Sequence, residues 1–216
     1  MSTLATVLLA MLPLVAGWVV HVRWLHRCLS TARLDPLTGL VTRDGFTRRA
    51  TALLKDPQAV VVLADVDKFK QINDRFGHAE GDALLKATAD RLAHHVGRAG
   101  VAGRLGGDEF AAVLIDANGT AADMLTLLHG VLARPVDGQD PDVHTTVSLG
   151  WVRAADFPAD DLSGLLRRAD EAMYAAKQAR SGTRRAGLGR LFATIAGRRS
   201  GRTGARTDRP VVGVAV

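Results

Sequence analysis

A chain of 216 residues and 22.9 kDa has room for one or two domains, since one core organises about 100–150 residues, so a large multidomain enzyme is excluded. Apolar residues at 47% and charged residues at 23% are globular values, and a single cysteine, Cys28, excludes an intramolecular disulfide framework. The net charge of +6 sits on the flanks: 184–216 carries eight arginines against one aspartate and 1–34 carries three arginines and no acid. Residues 35–183 therefore hold 17 basic against 21 acidic side chains, which argues against nucleic acid as a partner.

In chain order, residues 3–22 contain no Asp, Glu, Lys or Arg; as a helix they would be about 30 Å long, the thickness of a bilayer core. The segment 1–22 is predicted to be a transmembrane anchor. A secretory signal fits less well, because only Met1 and Ser2 precede the apolar run and no small-x-small cleavage pattern stands before Arg23. Arg23, Arg27 and Arg33 then place the C-terminal side of the span in the cytoplasm, beneath a plasma membrane crossed once, with 23–34 as a short stalk.

Residues 59–64 (AVVVLA) read as a strand buried on both faces. Residues 81–96 carry Leu84, Leu85, Thr88, Leu92 and Val96 at helical spacing, 110–115 (FAAVLI) read as a strand, and 121–132 as a helix. Next come a strand over 143–152 and a helix over 162–180. With Gly106-Gly107 opening a hairpin, the order is βαββαβ and then a helix: an α+β, ferredoxin-like sheet over 35–183 with helices expected on one face. Residues 184–216 read as an Arg- and Gly-rich disordered tail. Leu188, Leu191, Phe192 and Ile195 fall at i, i+3, i+4 and i+7 beside Arg190, Arg198 and Arg199, which would also suit a short helix on anionic lipid.

Asp65 ends the buried strand, and Asp67 lies on the same side if the strand continues. Carboxylates there can hold a hard cation such as Mg²⁺, which takes oxygen ligands and shares its shell with substrate phosphates; Asp108 and Glu109 are candidates for a neighbouring strand. They come directly after Gly106-Gly107, whose missing Cβ atoms would let a triphosphate approach backbone N–H groups. A Gly-Gly-Asp-Glu turn taken alone is more often only a turn, and an Asp-x-Asp at a strand end more often a solvated cap.

Gly106-Gly107-Asp108-Glu109-Phe110 resembles the signature of GGDEF-domain diguanylate cyclases. Four further segments agree in order: Asp35-Pro36-Leu37-Thr38-Gly39-Leu40 with Arg43; Asp65-Val66-Asp67-Lys68-Phe69-Lys70 with Asn73-Asp74 and Gly77-His78-Ala79-Glu80-Gly81-Asp82; Thr146-Val147-Ser148-Leu149-Gly150; and residues 169–177. The resemblance implies a nucleotidyl-cyclase-like fold that condenses two GTP into cyclic di-GMP plus two pyrophosphates, with two domains facing each other as a homodimer. By position it implies Mg²⁺ or Mn²⁺ on Asp65, the Val66 carbonyl and Glu109, with Asp108 a further ligand or an aid to deprotonation of the attacking hydroxyl. Asn73 and Asp82 would read guanine, and Lys70 and Lys177 would neutralise phosphate. A non-catalytic module that binds GTP or a protein partner is the alternative.

Three departures stand out. The arginine expected four residues after Lys177 is Ser181, leaving Arg180 or Arg184 for phosphate, and Thr42 stands where an Asn is usual. The Arg-x-x-Asp that forms an inhibitory product site in the family would occupy 97 and 100, which are Gly97 and Gly100.

Overall fold

The computed structural model describes residues 11–23, 34–140 and 142–187. Residues 11–23 form helix α1, with Met11, Leu12, Leu14, Val15, Trp18 and Val20 exposed. No helix among the described residues is long and apolar enough to cross a membrane. The rest of the predicted 1–22 anchor, and most of the 23–34 stalk, lie outside them.

The domain runs β1 (Val41–Thr42), α2 (Arg43–Leu53), β2 (Ala59–Val66), α3 (Phe69–Phe76), α4 (His78–Val96), β3 (Val101–Gly106), β4 (Glu109–Ile115), α5 (Ala121–Leu132), β5 (Val147–Arg153), α6 (Leu162–Ala179) and β6 (Thr183–Arg185). They build one six-stranded sheet in the order β1-β3-β4-β2-β5-β6. The inner four strands pair antiparallel, as expected of a ferredoxin-like core, while β1 and β6 add parallel edges.

The helices do not lie on one face as expected. Val60, Val62, Ala64 and Val66 of β2 pack with Leu84, Leu85 and Leu92 of α4 and Leu125, Leu128 and Leu132 of α5. Val61 and Leu63 turn the other way, toward Phe46 and Ala50 of α2 and Leu165, Ala169 and Met173 of α6. An apolar residue at every position from Ala59 to Ala64 leaves neither face of β2 fit for water, so both are covered.

Two boundaries move. Residues 143–146 are not strand: β5 starts at Val147, and the two threonines before it turn their hydroxyls to Asp67 instead. The segment read as tail begins inside the sheet, since Arg184 and Arg185 pair with Gly150 and Trp151 on β5. The apolar positions 188–195 lie outside the described residues.

Candidate active site

The chemistry gathers where β2 and β4 run side by side. Their antiparallel register puts Asp65 opposite Glu109, the one polar pair of a ladder that is otherwise apolar. The Val66 N–H donates to the Asp108 carbonyl at 3.2 Å, so the hairpin tip is clamped onto the end of β2. Gly106 and Gly107 have φ of +156° and +46°, and nothing lies within 4 Å of the Cβ either would carry, so the tip is open on the side where backbone could meet a ligand.

Asp65 is joined by Lys177, whose Nζ bonds Asp65 Oδ1 and stands 3.6 Å from Asp67 Oδ1. Burial pushes the Asp65 carboxyl above its ordinary range and the Asp108 and Asp67 charges add to this, against the lowering by Lys177. Burial alone would lower the Lys177 ammonium, but its bonds to Asp65 and Asp67 outweigh that and raise it. Asp67 is committed elsewhere: it accepts from Thr146 Oγ1 at 2.5 Å and Ser148 Oγ at 2.8 Å. The strand has ended at Val66, so Asp67 lies in the turn, and Lys68, at φ +55°, starts α3.

Lys177 reaches this point because α6 lies directly on the sheet. A Cβ on residue 150 would be 2.0 Å from the Ala169 carbonyl oxygen and 2.2 Å from the Met173 nitrogen, so glycine there sets how close the helix comes. The helix ends with Arg180 in a left-handed cap, and the chain folds back into β6. Among the described residues no hydrogen bond or ion pair links Arg180 or Arg184 to the carboxylates.

The hairpin has a brace that the sequence reading missed. Arg104 donates from Nε and Nη2 to the Gly107 carbonyl at 2.9 and 2.7 Å, and from Nη1 to Asp35 Oδ1 at 3.0 Å. The same carboxylate takes the Thr38 N–H and hydroxyl at 2.9 and 2.7 Å. Burial would raise Asp35, but these bonds outweigh it and hold its carboxyl below the ordinary range. Arg43 adds a bond from Nε to the Leu105 carbonyl at 3.1 Å, with Nη2 3.9 Å from Glu109 Oε2. Only the position of Arg104, two residues before Gly106-Gly107, could have signalled its part.

Asn73 and Asp82 lie on the α3–α4 pair. The Asn73 amide oxygen is buried with no hydrogen-bond partner among the described residues, 1.9 Å from where a Cβ on residue 81 would sit, so Gly81 brings Asn73 against the residue preceding Asp82. Asp82 and Lys70 are exposed, Asp82 in the second turn of α4 and Lys70 in the first turn of α3.

Among the described residues no cluster of three or more His, Cys, Asp or Glu is placed to hold a metal ion by itself. The expected donor set is smaller, two carboxylates and the Val66 carbonyl, and its chemistry fits a hard cation: the donors are all oxygen, and the acidic surplus at Asp65 already draws a cationic group onto it. A groove of about 510 Å³ along α5, lined by Asp123, Thr126, Leu127, Gly130, Val131 and Arg134, contains none of these residues.

The family described as "Diguanylate cyclase, GGDEF domain" matches residues 32–183. A Streptomyces ambofaciens protein described as an uncharacterized 19.3 kDa protein is 46% identical over 176 residues, 81% of this chain and 94% of that one. Diguanylate cyclase TpbB of Pseudomonas aeruginosa is 37% identical over 71% of this chain, which spans only 37% of TpbB. The crystal structure of the GGDEF domain of DgcB from Caulobacter crescentus in complex with c-di-GMP superposes with a TM-score of 0.64 at 25% identity, covering 72% of this chain and 93% of that one.

Proposed function

The chain belongs to the GGDEF domain family, and from that premise we propose that it is an active, membrane-anchored diguanylate cyclase that turns two GTP into cyclic di-GMP and two pyrophosphates. The observation that carries this reading is the Asp65–Glu109 pair on adjacent strand ends, beside the Asp108 backbone carbonyl that Val66 holds: each carboxylate of the signature is present. A module that had given up turnover would be free to lose them.

Asp65, the Val66 carbonyl and Glu109 would hold Mg²⁺ or Mn²⁺. When bound, the cation neutralises triphosphate charge and stabilises in-line displacement at the α-phosphorus. The open Gly106-Gly107 tip offers backbone N–H groups to phosphate, and Lys70, Lys177 and Arg180 supply positive charge from α3 and the end of α6. Asp82 would accept from the N1–H and N2–H₂ donors that guanine has and adenine lacks, with Asn73 beside it.

Each domain would hold one GTP, so two copies must face each other. The 3′-hydroxyl of one nucleotide forms the new P–O bond as pyrophosphate leaves the other, and its proton passes toward Asp108. The apolar segment 1–22 would keep copies in one membrane and raise their effective concentration, and tail residues beyond 187 would add contacts to anionic lipid.

The full chain in lipid nanodiscs, given GTP and Mg²⁺, should yield cyclic di-GMP by chromatography. Glu109→Ala should lower the rate by orders of magnitude while the unfolding transition stays in place, because Glu109 is half-exposed and outside the core. Binding of GTP without product by the wild type would establish the non-catalytic reading instead.

A further inference from the structure

We propose that Lys177 is a built-in counter-ion that competes with the divalent cation for Asp65, so that cation and nucleotide load together and neither loads well alone. This rests on the cyclase reading above. Among the described residues Lys177 is the only side chain bonded to Asp65, whereas both Asp67 oxygens already accept from Thr146 and Ser148. Asp67 and Asp108 act on Asp65 as like charges, and without Lys177 no side chain among the described residues would be bonded to Asp65 to offset them. The ammonium therefore performs for Asp65 the neutralisation that a divalent cation would otherwise perform.

Lys177 bonds Asp65 Oδ1, so a cation on the same carboxylate would face the ammonium as a like charge across it. A cation arriving at Asp65 opposes Lys177 and would leave its ammonium with Asp67 alone, at 3.6 Å and already accepting from Thr146 and Ser148, which makes cation binding to the bare protein weak. A triphosphate arriving with the cation removes the penalty, because it offers the displaced ammonium new anionic oxygens. Lys177 has the freedom to move: it sits in the last turn of α6, is 42% exposed, and carries a flexible four-carbon stem. By linkage, nucleotide must then tighten the cation as much as the cation tightens nucleotide.

A lysine kept there only to favour the C-terminal end of the helix dipole would leave cation affinity untouched. The experiment is a titration of the nucleotide-free full chain with Mn²⁺, free ion being read by electron paramagnetic resonance. Wild type is compared with Lys177→Met, Lys177→Arg, Asp65→Asn and Glu109→Gln, each first checked for a wild-type unfolding temperature. Lys177→Met should bind Mn²⁺ about fivefold more tightly or better, the lower end of ordinary coupling between sites, while Lys177→Arg stays near wild type. In excess Mn²⁺, Lys177→Met should bind a GTP analogue with a methylene bridge between its α and β phosphorus more weakly than wild type.

If Lys177→Met binds Mn²⁺ no better than wild type while Asp65→Asn and Glu109→Gln lose it, the competition is overturned and the cation site stands. If none of the variants changes Mn²⁺ binding, the ion does not use these carboxylates, and both the competition and the proposed cation site fall.

Discussion

Gly150→Ala tests whether the contact between α6 and the sheet controls the site. The added Cβ would meet the Ala169 oxygen at 2.0 Å and the Met173 nitrogen at 2.2 Å, both backbone, so no rotamer change can relieve it. Ordinary contact begins at 3.4 Å, and α6 must retreat by more than about 1 Å to reach it. Overpacking of this kind costs about 2–3 kcal/mol, which for a domain of this size lowers the unfolding temperature by roughly 5–10 °C. The same retreat moves Lys177 away from the triphosphate it would neutralise, and a displacement of about 1 Å at a reacting centre can cost up to 100-fold in rate. Differential scanning calorimetry and cyclic di-GMP formation at saturating GTP, measured on one preparation, read both effects. A Gly150→Ala protein with wild-type unfolding temperature and rate would refute the idea that the helix is held at its closest approach.

Asp35→Asn should loosen the Arg104 brace on Gly107 and lower stability by about 1–2 kcal/mol near neutral pH. Because the folded carboxyl lies below its unfolded value, the stabilisation is complete above about pH 4 and fades as the pH falls further; a wild-type-to-variant difference in urea midpoint that stays constant down to about pH 3 would contradict this. Asp82→Ala should weaken GTP more than ATP, measured by competition in excess Mg²⁺, and equal loss would remove Asp82 from base recognition. Product inhibition should be weak at the surface of residues 97–100: Gly97 and Gly100 supply no arginine fork or carboxylate, and a Cβ on Gly100 would lie 2.4 Å from the Val113 oxygen. A progress curve that stalls early and is restored by an added cyclic di-GMP phosphodiesterase would contradict that.

Residues adjacent in the chain were enough to find the family, the central strand and the acidic signature. The apolar run of β2 could only be a buried strand, helix α5 fell on the expected residues because of its apolar periodicity, and Gly106-Gly107-Asp108-Glu109 is a local turn that four other segments in order turn into a family signature. The choice of partners for those residues was a matter of tertiary structure. Nothing near Asp65 in the sequence announces Lys177, 112 positions away, and nothing near Asp67 announces Thr146 and Ser148. Arg104 becomes a brace only once the Asp35 turn is packed beside it. The pairing of β6 with β5, and the cover of helices on both sheet faces, likewise depend on which surfaces meet. Local periodicity reports how a segment behaves toward water, whereas ion pairs and close helix–sheet approaches depend on distances between segments that exist only after the chain has closed on itself.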